Sequence, residues 1–246
     1  MLSVASRLHI DEVMLLGDLV GYNAAPSAVL QRLIALSPTV MIRGNHDKVY
    51  ADIEPATSFH LMARRAIEWT RQQLSHEELA WLAALPEGPV AVDASGRTLQ
   101  VCHGAPFDED FYVVDAIDAR QAIEHMSASV CLNGHTHLPA VFRTEGCAVR
   151  HECLEKFMPD DREPNDGEND TQTHMVEWPN QGRLLVNVGF VGQPRDADPR
   201  AAFGVWGADA GTIKLWRVPY DIATVQRRIV TARLPTALAK RLATGT

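Results

Sequence analysis

Four short apolar runs in this 246-residue chain each stop at or beside a glycine flanked by groups that ligate or titrate. Residues 13–16 run into Gly17-Asp18, and residues 39–42 into Gly44-Asn45-His46-Asp47. Residues 99–101 lead to Cys102-His103-Gly104, and residues 130–132 to Gly134-His135-Thr136-His137. Short apolar runs broken by glycine read as buried strands. An Asn and a His side by side at such a strand end are poor core material and good ligand material. Four ends of this kind point to one composite site, and they require a fold that gathers strand ends together.

Between these ends the pattern alternates strands with helices, which predicts α/β layering. Residues 26–36 read as a helix with Val29, Leu30, Leu33 and Ile34 on one face. Residues 57–74 read as a longer one through Met62, Ala66, Trp69 and Leu74, a spacing that means core packing. Ser75 and Glu78 have the spacing of a capping box for the next helix. A hairpin turn is expected at 93–96, a helix at 115–126, and strands at 184–186, 203–206 and 213–216. Two helices are expected near the C-terminus, at 221–231 and 236–242. Their Arg227, Arg228, Arg233, Lys240 and Arg241 read as a solvated face.

One domain over 1–246 is expected, carrying a flexible acidic loop insertion at about 154–180. Residues 155–170 hold seven acids against Lys156 and Arg162, so most of the chain's net charge of −8 belongs to this segment. That balance argues against non-specific nucleic-acid binding through a basic face, and it disfavours a nuclease. No apolar stretch approaches a membrane span, and no basic-then-apolar export signal opens the chain, which favours the cytoplasm. The four cysteines give no disulfide framework; Cys147, His151 and Cys153 lack paired zinc-ligand spacing and read as loop or strand. Arg43 reads equally as a phosphate contact or as an ordinary ion pair.

Divalent ions that handle phosphate esters prefer carboxylate, imidazole and amide ligands on rigid elements, with positions left open for water and substrate. Asp18 is the one carboxylate of the four blocks that directly follows a strand and a glycine, which makes it the natural bridge between two ions. Gly17-Asp18 with Gly21, Gly44-Asn45-His46-Asp47, His103-Gly104 and Gly134-His135-Thr136-His137 resemble the blocks of the calcineurin-like metallophosphoesterase superfamily. Residues 17–22, 189–195 and 217–221 resemble more closely its small bacterial predicted-phosphodiesterase branch.

The resemblance implies a four-layer αββα sandwich of two mixed β-sheets with metals at the strand ends. It implies that Asp18 bridges two ions, that Asn45, His103 and His135 complete one site, and that His137 binds the other. His46 would contact the scissile phosphate or protonate the leaving oxygen, with Asp47 orienting it, while metal-bound hydroxide attacks phosphorus. Read on its own residues, Asp47 is alternatively no more than a cap for the following turn. Manganese suits such mixed O/N ligands first; iron, zinc, nickel and cobalt are alternatives. A small phosphorylated substrate is implied, with the 145–180 insertion selecting it. Residues 189–195 would form a structural turn beneath the site, with Arg195 in an ion pair.

The family normally opens with a strand ending in Asp-x-His, whose Asp and His bind the first metal. Here residues 1–9 read as the tail of the following helix, and His9 is expected to be exposed. The expectation is that the native protein begins some 20 or more residues earlier, and that a central strand is missing from one sheet. Taken at face value, the chain is the alternative: an inactive or one-metal phosphate-binding module.

Overall fold

The computed structural model describes residues 1–152, 154, 158–159 and 171–246. The chain begins with helix α1 (Leu2–Ala5), strand β1 (Met14–Leu16), helix α2 (Pro26–Ala35) and strand β2 (Val40–Ile42). Helices α3 (Asn45–Tyr50), α4 (Leu61–Gln73) and α5 (His76–Ala83) follow. Then come the hairpin β3 (Val90–Ala94) and β4 (Arg97–Val101), helix α6 (Ala116–Glu124) and strand β5 (Val130–Asn133). A second hairpin, β6 (Ala140–Glu145) and β7 (Ala148–Glu152), leads to β8 (Met158–Pro159), β9 (Gln172–Glu177) and β10 (Leu184–Asn187). The chain ends with β11 (Ala201–Gly207), β12 (Thr212–Val218), α7 (Ile222–Thr231) and α8 (Thr236–Leu242).

The helix starts follow from local chemistry. Ser75 Oγ accepts from the Glu78 amide (3.2 Å) and Glu78 Oε2 from the Ser75 amide (2.9 Å), so the capping box opens α5. The Asp115 carboxylate accepts from the amides of Ile117 and Asp118 and opens α6. Pro26 sits at the first position of α2, where its missing N–H is not needed.

The strands form a six-stranded sheet in the order β3-β4-β5-β10-β6-β7, parallel through β4, β5 and β10 and antiparallel at both edges. Strands β1 and β2 pair in parallel by themselves, and β11-β12-β9-β8 form an antiparallel sheet. One face of the six-stranded sheet carries Cys131, Phe142 and Leu185 and is covered by Ala119, Ala122 and Ile123 of α6. The other face, with Leu99, Val130, Leu132 and Leu184, packs on Ile213 and Leu215 of the antiparallel sheet and on Met14, Leu16 and Val40 of the small one. Beyond that layer lie α1, through Val4 against Trp216 and Val218, and the helices that bury Leu30, Tyr50, Ile67 and Leu82. The four layers therefore run helix, sheet, sheets, helices.

The sheet layer next to the helices comprises two sheets, β1-β2 and β11-β12-β9-β8. It is split, because among the described residues no strand bridges β1 to β11. The interval 154–180 is also not all loop: β9 occupies residues 172–177 and pairs with β12 along its length. Residues 160–170, the acidic core of the expected insertion, and Cys153 lie outside the described residues. On α2 only Leu30 of the expected apolar face is fully buried, while Val29 and Ile34 are each 41% exposed.

Leu184 lies on the central strand β10 and is completely buried. Leu184→Ala is expected to lower the unfolding free energy by about 2–5 kcal/mol. Val29→Ala is expected to change it by less than about 0.5 kcal/mol. Urea unfolding followed by circular dichroism reads both values, and equal losses would refute this assignment of the core.

Candidate metal centre

The site is made by backbone that only particular residues tolerate. Gly17 has φ +88°, and a Cβ there would come within 2.6 Å of the Gly44 nitrogen. A Cβ on Gly44 would lie 2.3 Å from Asp18 Oδ1, so glycine there is the condition for the carboxylate to pack on the start of α3. Asp18, His135 and His137 take left-handed backbone themselves, with φ of 52°, 62° and 64°. Such conformations in non-glycine residues are disfavoured and gather where side chains must be aimed at a ligand.

Asp18, His103 and His135 are buried, and one ligand atom from each lies within 4.8 Å of the others. Asp18 Oδ1 accepts from the His46 amide (2.9 Å), and Oδ2 lies 3.5 Å from His103 Nε2. His103 Nδ1 donates to the Leu16 carbonyl oxygen (2.6 Å), leaving Nε2 to face the site. His135 Nε2 donates to the Asp110 carbonyl oxygen (3.0 Å), leaving Nδ1 to face the site. The two inward nitrogens stand 3.1 Å apart. In neutral imidazoles with these outer bonds both would present lone pairs, so something positive belongs between them. Asn45 lies against the same groups: turned to present its nitrogen, the amide reaches both Asp18 oxygens at 3.2 and 3.3 Å and His135 Nδ1 at 3.3 Å. A convergence of carboxylate, amide and two imidazole nitrogens fits a divalent cation.

The charges agree with that reading. Burial alone would push the Asp18 carboxyl up, but the imidazoles of His103 and His46 hold it well below the usual carboxylate range. Burial would lower His103, but the Asp18 carboxylate overrides it and raises the imidazole to about 9. Burial and the His103 charge lower His135 to about 4. His137 is pushed well down by burial and by Arg195. A proton on His103 therefore occupies, in the metal-free chain, the place a cation would take.

His137 lies outside the triad of Asp18, His103 and His135. Its Nδ1 donates to the Gln193 carbonyl oxygen (2.8 Å), and its ring stacks on Phe190 at 3.7 Å. Residues 189–195 thus form a turn packed on His137. The expected ion pair of Arg195 is not found. Arg217 pairs with Asp196, Arg200 pairs with Asp198 at 2.6 Å, and the Arg195 guanidinium has no carboxylate partner among the described residues. His46 is held edge-on by Tyr22 (4.6 Å) and Phe59 (4.9 Å), and its buried Nδ1 has no hydrogen-bond partner. Asp47 does not orient that ring. Its carboxylate accepts from the amides of Leu19 (3.0 Å) and Gly44 (2.9 Å), tying the turn after β1 to the start of α3. Burial together with the Asp18 charge pushes its carboxyl up. His9 is exposed, and so is Cys147.

One supporting network was not legible in the sequence. Arg43 pairs with Glu109 (3.0 Å) and Glu87 (2.8 Å), and Lys48 pairs with Glu109 (3.2 Å), Asp110 (2.5 Å) and Glu54 (3.0 Å). These pairs anchor the loop whose Asp110 carbonyl fixes the tautomer of His135. Its members come from the end of β2, from α3 and from three separate loops with no common spacing, and Lys48 on α3 carries no motif signal of its own.

Fold and site together define a metallophosphoesterase-like α/β protein. A model of the calcineurin-like phosphoesterase superfamily domain matches residues 1–151. A metallophosphoesterase from Sphaerobacter thermophilus superposes with a TM-score of 0.78 at 31% identity, covering 99% of this chain and 91% of that one. The hypothetical protein PH1004 from Pyrococcus horikoshii shares the fold, with a TM-score of 0.75 at 19% identity over 100% of this chain and 91% of that one. The Methanocaldococcus jannaschii protein MJ0912, itself uncharacterized, is 27% identical over 96% of this chain and 87% of its own length. The chain belongs to the calcineurin-like phosphoesterase superfamily.

Two outcomes are expected of this site. Manganese titrated into the metal-free protein near pH 7 should displace the His103 proton, so each ion bound at the triad releases about one proton. Affinity should rise roughly tenfold per pH unit and level off near pH 9. Calorimetry in buffers of different ionisation enthalpy reads this, and proton-free binding would contradict it. Separately, Lys48→Met leaves the buried Glu109 with Arg43 alone. It should destabilise the fold by about 3 kcal/mol, the low end for a broken buried pair because Asp110 and Glu54 keep some solvent. Chemical denaturation measures the loss, and an unchanged midpoint would remove the network from the account.

Proposed function

We propose that this chain is a metal-dependent hydrolase of phosphate esters, with the cation held by Asp18, Asn45, His103 and His135 and with His137 reaching a second position. The observation that carries this reading is the inward convergence of His103 Nε2 and His135 Nδ1 beside the Asp18 carboxylate. Bound ions there would supply Lewis-acid charge for the phosphoryl oxygens and activate water. The residues supply the rest. Leu16, Asp110 and Gln193 fix three imidazole tautomers through their carbonyl oxygens. His46, whose proton affinity is lowered by burial, stays neutral and in this reading meets a phosphoryl or leaving-group oxygen. The Gly44-Asn45-His46-Asp47 block favours a phosphodiester over a monoester.

Manganese is the first ion to load, and bis-p-nitrophenyl phosphate and p-nitrophenyl phosphate are the first substrates. Hydrolysis should require the metal, stop with EDTA, and fall by roughly a hundredfold or more in Asp18→Ala and His137→Ala. Metal content per chain should be counted on the same samples. One ion per chain without turnover would refute the enzyme and leave a one-metal phosphate-binding module, the reading favoured by His137 standing apart from the triad.

A further inference from the structure

The turn at residues 189–195 brings a cation to the edge of the metal cluster without giving it a partner. The Arg195 amide donates to the His137 carbonyl oxygen (3.3 Å), on the same turn whose Gln193 carbonyl and Phe190 ring hold the His137 imidazole. The Arg195 side chain is half-buried, and its Nε is enclosed with no hydrogen-bond partner. The acids next to it in sequence serve other arginines, Asp196 for Arg217 and Asp198 for Arg200. Gln193 is buried too, and neither its Nε2 nor its Oε1 finds a partner. Enclosed donors without acceptors are destabilising unless a ligand supplies the acceptor. The Arg195 charge reaches His46, His135, His137 and Tyr22, opposing protonation of each imidazole and favouring ionisation of the tyrosine.

A second guanidinium stands behind the first. Helix α8 packs Leu238, Ala239 and Leu242 in one cluster with Tyr22, whose ring lies 4.6 Å from His46. The turn after α8 is tied to the Arg195 segment by the Ala197 amide, which donates to the Gly245 carbonyl oxygen (2.8 Å). Arg241 of α8 donates through Nε to the oxygen of Thr246, the last residue of the sequence, and no side-chain carboxylate pairs with it among the described residues. Burial and the Arg195 charge both lower its proton affinity. Two arginines brought together beside neutral histidines repel each other, and an anion between them removes that repulsion. Their planar forks suit phosphate oxygens in pairs.

We propose that Arg195 and Arg241 form a phosphate subsite beside the metal cluster, and that the substrate is a phosphate ester carrying a second phosphate group. The ester that is cut rests on the phosphoesterase reading above; the subsite itself needs no metal. Arg195 faces the histidines, and Arg241 lies farther out, so the second phosphate sits on the Tyr22 side of the cluster.

Calorimetric titration of the full chain with adenosine 5′-monophosphate and adenosine 3′,5′-bisphosphate, in EDTA and after manganese loading, tests this. In EDTA the monophosphate should bind, and Arg195→Gln should weaken it by about tenfold or more. With manganese the bisphosphate should bind at least about tenfold tighter than the monophosphate, a preference lost in Arg195→Gln and in Arg241→Gln. Arg228→Gln, on the exposed part of α7, should leave every value within about twofold. If Arg195→Gln does not fold, Arg195→Lys is read in its place and should lose about threefold, because it keeps charge and loses the fork. Absence of binding in EDTA, equal affinity for the two nucleotides with manganese, or an equal loss in Arg228→Gln would each overturn the subsite. Arginine-dependent binding without metal uptake or turnover would refute the esterase and keep the subsite; turnover without the bisphosphate preference would do the reverse.

Discussion

The Asp18 carboxylate is where this structure is joined. It ends β1, packs on the bare backbone of Gly44 at the start of α3, accepts the His46 amide and faces His103 at the end of β4. One group therefore ties the small parallel sheet to the six-stranded sheet across the interior. Burying a carboxylate so completely is strongly unfavourable unless charge or hydrogen bonds compensate. An amide and an imidazole that takes up a proton provide that compensation. The same compensation makes the place exchangeable, because a cation can do what the proton does. Stability of the joint and affinity for metal are thus two readings of one electrostatic demand.

The parts of the site legible in the sequence are those where one residue type is obligatory. Gly17 and Gly44 show because no Cβ fits, and His103, His135 and His137 show because each sits directly at a strand end. Strands β5 and β10 were readable since buried parallel strands are nearly continuously apolar. What was hidden depends on partners far away in sequence. Arg43 and Lys48 become anchors only when Glu109 and Asp110 arrive from a loop some sixty residues on. Asp47 looked like support for its neighbour His46, but at the start of a helix its carboxylate accepts from the amides of Leu19 and Gly44. Arg195 read as one half of an ion pair; the acids that follow it, Asp196 and Asp198, pair with Arg217 and Arg200 instead. β9 was missed because only Thr173 and Val176 are buried along it, three positions apart and so without the two-residue period that marks a strand, inside a polar stretch.

The split sheet layer has a physical consequence for the site. β1 has one hydrogen-bonded neighbour, and all three of its residues keep partial solvent exposure, unlike the fully buried strands β5 and β10. Asp18 thus hangs from a strand supported on one side, while His103 and His135 hang from the middle of a six-stranded sheet. The tie from Asp47 to the amides of Leu19 and Gly44 replaces part of the missing lateral support by fixing the ends of β1 and β2 to each other. This assigns Asp47 a positioning role, acting on Asp18 through the backbone.

Charge is also sorted by depth. The histidines nearest the interior, His46, His135 and His137, are held neutral by burial, so their lone pairs are available at neutral pH. His103 alone is held protonated, by the one carboxylate among them. Fixed positive charge is carried by Arg195 and Arg241, both partly exposed and neither paired with a side-chain carboxylate among the described residues. An anionic ligand approaching from that side meets permanent cations first and exchangeable ones last.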